Sequence, residues 1–300
     1  MKKLILISLL ITLSAAAFSK GTLVTINNER KLFLNCQGQG SPTVLLISGY
    51  LDRGDASWET PLSGSLFSKV SQFTKVCDFD RPGTIKVRDN HFLKSRSDPV
   101  QQPVTAEDQV KDLQALVKAA KIKKPFIIVA HSAGGLSARL YAYKYPSEVS
   151  GLILIDVTNE KLLDTWTDKE IEIFNFSTEK GSKEIRSLYK NVERINFIES
   201  FKQLQQYKDQ KLNLPAILLT AGKTPDANQL IKDGLWPNFA TQDLAKSIMS
   251  GIYQANELVA ESFVPRAKLL NVKNSGHYIQ KEQPELILEL IHTMVEQQRS

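Results

Sequence analysis

The sequence predicts an α/β fold, a mostly parallel, doubly wound sheet with helices on both faces, and three observations predict it. Short β-rich runs alternate with helical patterns along most of the 300 residues. From Thr43 onward those runs are continuously apolar rather than alternating, as expected for strands covered on both sides. One of them passes through a turn of small residues straight into a helix.

The runs are RKLFLNC (30–36), PTVLLISG (42–49), KVCDFD (75–80), PFIIVA (125–130), GLILID (151–156), PAILLT (215–220) and AKLLNV (267–272). Between the third and fourth, Thr105 and Asp108 form the spacing of a capping box, and Val110, Leu113, Leu116, Val117 and Ala120 follow at helical intervals. Pro125 punctuates the entry to the next strand. After Pro284, suited to a first helical position, the pairs Leu286/Ile287, Leu290/Ile291 and Met294/Val295 recur one turn apart, so the last element is an amphipathic helix. The stretch of about 157–214 is too long for a plain connection. Its charges and aromatics (Trp166, Phe174, Phe176, Tyr189, Phe197, Phe201, Tyr207) predict a helical lid inserted over the sheet edge.

The first 19 residues have the layout of a secretory signal peptide: Lys2 and Lys3, an apolar stretch from Leu4 to Leu13, then small residues around Ala15, Ala16, Ala17 and Ser19. The run is too short and too interrupted by Ser8, Thr12 and Ser14 for a membrane span. Cleavage after Ser19 leaves residues 20–300 as the folded domain and predicts an exported protein, periplasmic or secreted, with no stable membrane span. Losing Lys2 and Lys3 lowers the formal charge from +6 to +4. The remaining lysines are interspersed with acids, which is a solvated surface rather than a nucleic-acid footprint. The two cysteines, Cys36 and Cys77, can join in an oxidising compartment and cannot build a four-ligand zinc site alone.

The chemistry centres on VAHSAGG (129–135), where an apolar strand ends and a helix begins. A serine on such a turn, Ser132, is exposed and strained, and the N–H of Ala133 lies at the helix N-terminus where negative charge is stabilised. The pattern departs from G-x-S-x-G only in having Ala130 first. Serine needs a base. Of four histidines, His91 lies in a polar segment, His292 in the last helix, and His131 points away from the reacting face, leaving His277 on the loop after the last strand. Two acids could orient it: Asp156, ending GLILID, and Asp226, after the next strand. Both loops lie at the carboxyl edge of the sheet, where ligands collect. A second oxyanion donor is offered by Tyr50, whose N–H follows the turn at Gly49.

The order Ser, Asp, His, with GSPTVLLISGY, TKVCDFDRPG, VAHSAGGLSARLYAYKYPSEVSGLILIDV and NSGHYIQKEQPEL, resembles the α/β-hydrolase fold, and more closely its exported bacterial esterase-like members, over about residues 28–295. The resemblance implies that the strand of Cys36 lies beside that of Cys77, hence a disulfide. Two departures stand out. The family commonly continues DRPG with glycine and serine, whereas TIKVRDN here implies an altered pocket. It commonly carries the acid three residues beyond a glycine, whereas Asp226 is four beyond Gly222, which favours Asp156.

AGKT (221–224) lacks the glycine that a phosphate-binding loop requires at position 217, where isoleucine stands, and no metal-ligand spacing occurs. No cofactor is expected. The expected activity is hydrolysis of a small carboxylic ester with an apolar acyl group. The alternatives are an amide or peptide hydrolase, which wants unmatched lid acids to hold an ammonium, and a non-catalytic binding protein on the same scaffold.

Overall fold

The computed structural model describes residues 21–300 apart from 28, 61–63 and 90. The predicted signal segment lies outside the described residues. Eight strands form one sheet: β1 (Thr22–Ile26), β2 (Arg30–Gln37), β3 (Val44–Ile47), β4 (Val76–Phe79), β5 (Phe126–His131), β6 (Val149–Ile155), β7 (Ala216–Ala221) and β8 (Lys268–Val272). Their spatial order is β1-β2-β4-β3-β5-β6-β7-β8, with β1 and β2 antiparallel and all pairs from β4 to β8 parallel. Each run read from the sequence lies in this sheet. The edge strand β1 is the addition, because its short TLVTI, interrupted by two threonines, is not a continuous apolar run.

The helices are α1 (Leu66–Val70), α2 (Ala106–Ala119), α3 (Gly134–Lys144), α4 (Leu162–Thr165), α5 (Asp168–Arg186), α6 (Phe197–Gln205), α7 (Ala227–Lys232), α8 (Gln242–Ala260), α9 (Ile279–Glu282) and α10 (Pro284–Gln297). Period-two alternation along the strands sorts the core into two faces. Leu45, Ile47, Ile128, Ala130, Leu152 and Leu154 meet α2, α3, α6 and the end of α8. Val44, Leu46, Ile127, Val129, Ile153 and Ile155 meet α1 and α10. The capping box of α2 is present: Asp108 accepts from the Thr105 N–H at 2.9 Å while the Thr105 hydroxyl accepts from the Asp108 N–H at 3.3 Å.

Cys36 and Cys77 face each other across the β2–β4 ladder and are disulfide-bonded. Ile85–Arg88, within TIKVRDN, pairs with His91–Lys94 as an antiparallel hairpin. Among the described residues, no helix is long and apolar enough to cross a membrane.

Candidate active site

The turn at Ser132 is dictated by what surrounds it. Strand β5 ends at His131 and α3 begins at Gly134, so Ser132 adopts φ 51°, a left-handed conformation costing a non-glycine residue about 1–2 kcal/mol. Backbone bonds hold it there: its N–H donates to Ile155 O at 3.0 Å, and its carbonyl accepts from Gly135 at 3.0 Å and Thr158 at 3.1 Å. A Cβ on Gly134 would stand 2.7 Å from Ser48 O, and one on Gly135 would stand 2.4 Å from Val157 Cβ. The glycine pair is therefore what lets α3 cross so close to β3 and β6. Ala130, in register with Ile47 and Leu154, is fully buried.

His277 Nε2 lies 3.0 Å from Ser132 Oγ, and its Nδ1 lies 2.6 Å from Asp156 Oδ2. Asp156 follows β6 at φ 44°, buried, with its other oxygen accepting from the Ala221 N–H of β7 at 2.9 Å. That bond leaves Oδ2 free for the imidazole, fixing the tautomer with the proton on Nδ1 and a bare Nε2 facing the serine. Asp226 is not brought here. It is exposed and caps α7, with Oδ1 accepting from the N–H groups of Asn228 at 2.9 Å and Gln229 at 3.2 Å.

Burial pulls the His277 pKa down, but the hydrogen bond and charge of Asp156, with the charge of Asp52, outweigh it and leave the imidazole raised above its ordinary 6.5. Half of its side-chain surface still opens to the cavity. His131 differs from the sequence reading, which has it pointing clear of the site. It is buried beneath the His277 loop, its Nε2–H donating to His277 O at 3.0 Å and its ring centroid 4.7 Å from that of His277. Burial, then the charge of His277, pushes its pKa well down, so it stays neutral. It supports the loop carrying His277.

The segment after β3 shows why Tyr50 is a donor candidate. Gly49 N–H donates to Ser57 Oγ at 3.3 Å, Leu51 N–H to Glu193 Oε2 at 2.8 Å, Asp52 N–H to Gly49 O at 3.2 Å and Arg53 N–H to Ile85 O at 2.7 Å. Among the described residues, neither the Tyr50 nor the Ala133 N–H is committed to a protein acceptor. A Cβ on Gly49 would lie 2.8 Å from His131 Nδ1 and 3.1 Å from Ser132 Cβ, so this segment runs directly against the serine turn. The hairpin after DRPG does not line the cavity, contrary to the expectation of an altered pocket. It braces this segment instead, through Arg53 N–H to Ile85 O and Ile85 N–H to Leu51 O, each 2.7 Å.

A cavity of about 360 Å³ opens on Ser132 and His277, a size suited to a small molecule. Three of the seven aromatics in 157–214 line it: Trp166, Phe174 and Phe197. Phe201 is instead part of the main core, and Tyr207 stacks on Tyr143. Trp236 and, from α8, Ile248 and Ile252 complete the wall from outside that segment. No sequence signal singled them out, because a 19-residue amphipathic helix such as α8 reads the same whether it covers a sheet or a substrate.

The family model for the alpha/beta hydrolase fold matches residues 42–284. The chain belongs to that family. The Bacillus subtilis (strain 168) protein YqjL is 24% identical to this α/β hydrolase over 252 residues, 84% of this chain and 82% of its own. Among solved structures, a thermophilic esterase from Thermogutta terrifontis aligns with TM-score 0.56 at 16% identity, covering 93% of this chain and 99% of the esterase. An epoxide hydrolase from Bacillus megaterium aligns with TM-score 0.60 at 13% identity, covering 92% and 100%. At these identities the likeness is one of fold.

Proposed function

We propose that this α/β hydrolase is an exported serine esterase. The reading is carried by one observation, the line of contacts from Ser132 Oγ to His277 Nε2 at 3.0 Å and from His277 Nδ1 to Asp156 Oδ2 at 2.6 Å. Ser132 Oγ attacks the ester carbonyl carbon as its proton passes to His277 Nε2, and Asp156 stabilises the imidazolium without taking a proton. The carbonyl π pair moves onto oxygen, where the N–H groups of Tyr50 and Ala133 receive it. Such a donor contributes about 10²–10³ in rate. Collapse breaks the bond to the alkoxide oxygen, which leaves as alcohol with the His277 proton. Water, deprotonated by His277, then attacks the acyl-serine; the second tetrahedral intermediate releases the acid and returns the proton to Ser132.

The apolar lining of Leu162, Ile173, Phe174, Ile248 and Ile252 supports an apolar acyl group. The disulfide supports an oxidising location. The test is turnover of p-nitrophenyl butyrate and palmitate, with an aminoacyl p-nitroanilide alongside, and labelling by an organophosphonate located by mass spectrometry. The expected result is butyrate turnover and a label on Ser132, both absent in Ser132→Ala. Faster release from the anilide would point to amide substrates. Neither turnover nor label in a folded sample would overturn the reading.

A further inference from the structure

We propose that the buried Arg81–Glu193 ion pair positions the oxyanion donor at Tyr50, so that the site is competent only while the helical segment between β6 and β7 is docked on it. This rests on the esterase reading above.

Arg81 comes from the DRPG turn after β4, and Glu193 from the connection between α5 and α6, within that helical segment. Arg81 is 4% exposed and Glu193 0%. Their contact is bidentate, Nε to Oε1 at 2.7 Å and Nη2 to Oε2 at 3.0 Å. Burying such a pair is a poor way to gain stability, since apolar residues of similar volume commonly do as well. What apolar residues could not do is reach the backbone on both sides of Tyr50. Arg81 Nη1 donates to Ser48 O at 2.7 Å and Nη2 to Gly49 O at 2.6 Å, while Glu193 Oε2 accepts from the Leu51 N–H at 2.8 Å. The pair thus holds the two carbonyls before Tyr50 and the N–H after it, and among the described residues no protein acceptor takes the N–H of Tyr50 itself.

The grip has something to hold. Leu51 sits at φ 64°, a left-handed conformation that a leucine keeps only under constraint. The Tyr50 side chain is fastened to the same helical segment, its hydroxyl donating to Thr178 O at 3.2 Å and its ring standing edge-on to Phe197 at 5.6 Å. Residues from three points of that segment, Thr178, Glu193 and Phe197, therefore converge on the donor segment. A second buried pair shows what is special here. Arg139 and Glu160 are 2% and 4% exposed and also bidentate, but that pair bonds to no backbone of residues 48–53.

The experiment compares Glu193→Gln with Glu160→Gln in the full chain. The readouts are p-nitrophenyl butyrate kinetics, affinity for a trifluoromethyl ketone, whose hemiketal oxyanion needs the same donors, and melting temperature. For Glu193→Gln we expect kcat to fall by about 10²-fold with KM within twofold. Ketone affinity should weaken by a matching factor, and the acid limb of the pH profile should stay where it is because the His277–Asp156 contact is untouched. Glu160→Gln should lower the melting temperature comparably and keep kcat within about threefold. If Glu193→Gln does not fold, the paired replacement Arg81→Met with Glu193→Leu removes the charges together and should show the same kinetic loss. A folded variant of either kind with wild-type kcat would overturn the inference, as would a loss of kcat with ketone affinity unmoved. A wild-type protein that takes no phosphonate label at Ser132 would overturn the esterase reading and this inference with it. A labelled wild type with an equally active Glu193→Gln would overturn this inference alone.

Discussion

The loops after β6 and β7 leave adjacent parallel strands at the same edge of the sheet, and each presents one aspartate. Asp156 stands in the first loop at φ 44°, buried, with one oxygen fixed by the Ala221 N–H and the other on His277. Asp226 stands in the second, exposed, with the lone pairs of Oδ1 taken up by the first turn of α7. Each aspartate has one oxygen held by backbone N–H groups, so the difference teaches that a carboxylate's part in a site follows from where the chain lays its other oxygen, buried against His277 for Asp156 and at the surface for Asp226.

The largest expected effect tests this directly. Asp156→Asn should lower kcat by about 10⁴-fold, since an amide can still accept from Ala221 N–H but no longer fixes the reactive tautomer. Asp226→Asn should leave kcat within twofold. Steady-state ester kinetics decide it, and a greater loss in Asp226→Asn would reverse the assignment. Next in size, Gly135→Ala forces a methyl toward Val157, the residue after Asp156, and should cost about 1–3 kcal/mol by urea unfolding, with lowered turnover.

The pH profile sharpens the comparison further. Because His277 is raised above 6.5 by Asp156, kcat/KM should fall as pH drops through an apparent pKa above that value. In Asp156→Asn this limb should move down, and in Asp226→Asn it should stay. Stability runs the other way. A raised folded pKa means protonated His277 favours the fold, a contribution present below the unfolded value near 6.5 and lost as pH rises through the folded one. The smallest effect is Asp226→Ala, which removes a helix cap and should cost about 1 kcal/mol with turnover intact.

Most of this architecture was legible from residues whose setting is local. The continuous apolar runs gave the strands, and VAHSAGG gave the turn, because close approach of strand and helix demands small residues next to one another in sequence. Asp156 and Asp226 read alike in the sequence, each following a strand at the same sheet edge, and the fold lays only the first against His277. Arg81 and Glu193 lie 112 residues apart, and Glu193 in NVERIN looks like one more charge on a solvated helical segment until the fold buries it. The place of His131 is hidden in the sequence for a related reason: strand alternation gives the side of the sheet but not what a later loop lays over it. The aromatics of 157–214 look like one set in the sequence, whereas Trp166, Phe174 and Phe197 line the cavity, Phe201 lies in the core and Phe176 is exposed.

The Cys36–Cys77 bridge joins β2, in the antiparallel margin of the sheet, to β4, and neither cysteine borders the cavity. Closing a loop of sequence separation 41 restricts the unfolded chain by about 4 kcal/mol. That is a large share of the roughly 5–15 kcal/mol by which a domain of ordinary stability stays folded. Reduction therefore acts on how long the molecule survives proteases rather than on how fast an intact copy turns over. The thiol state of its surroundings becomes a clock on the protein's lifetime that runs independently of its chemistry.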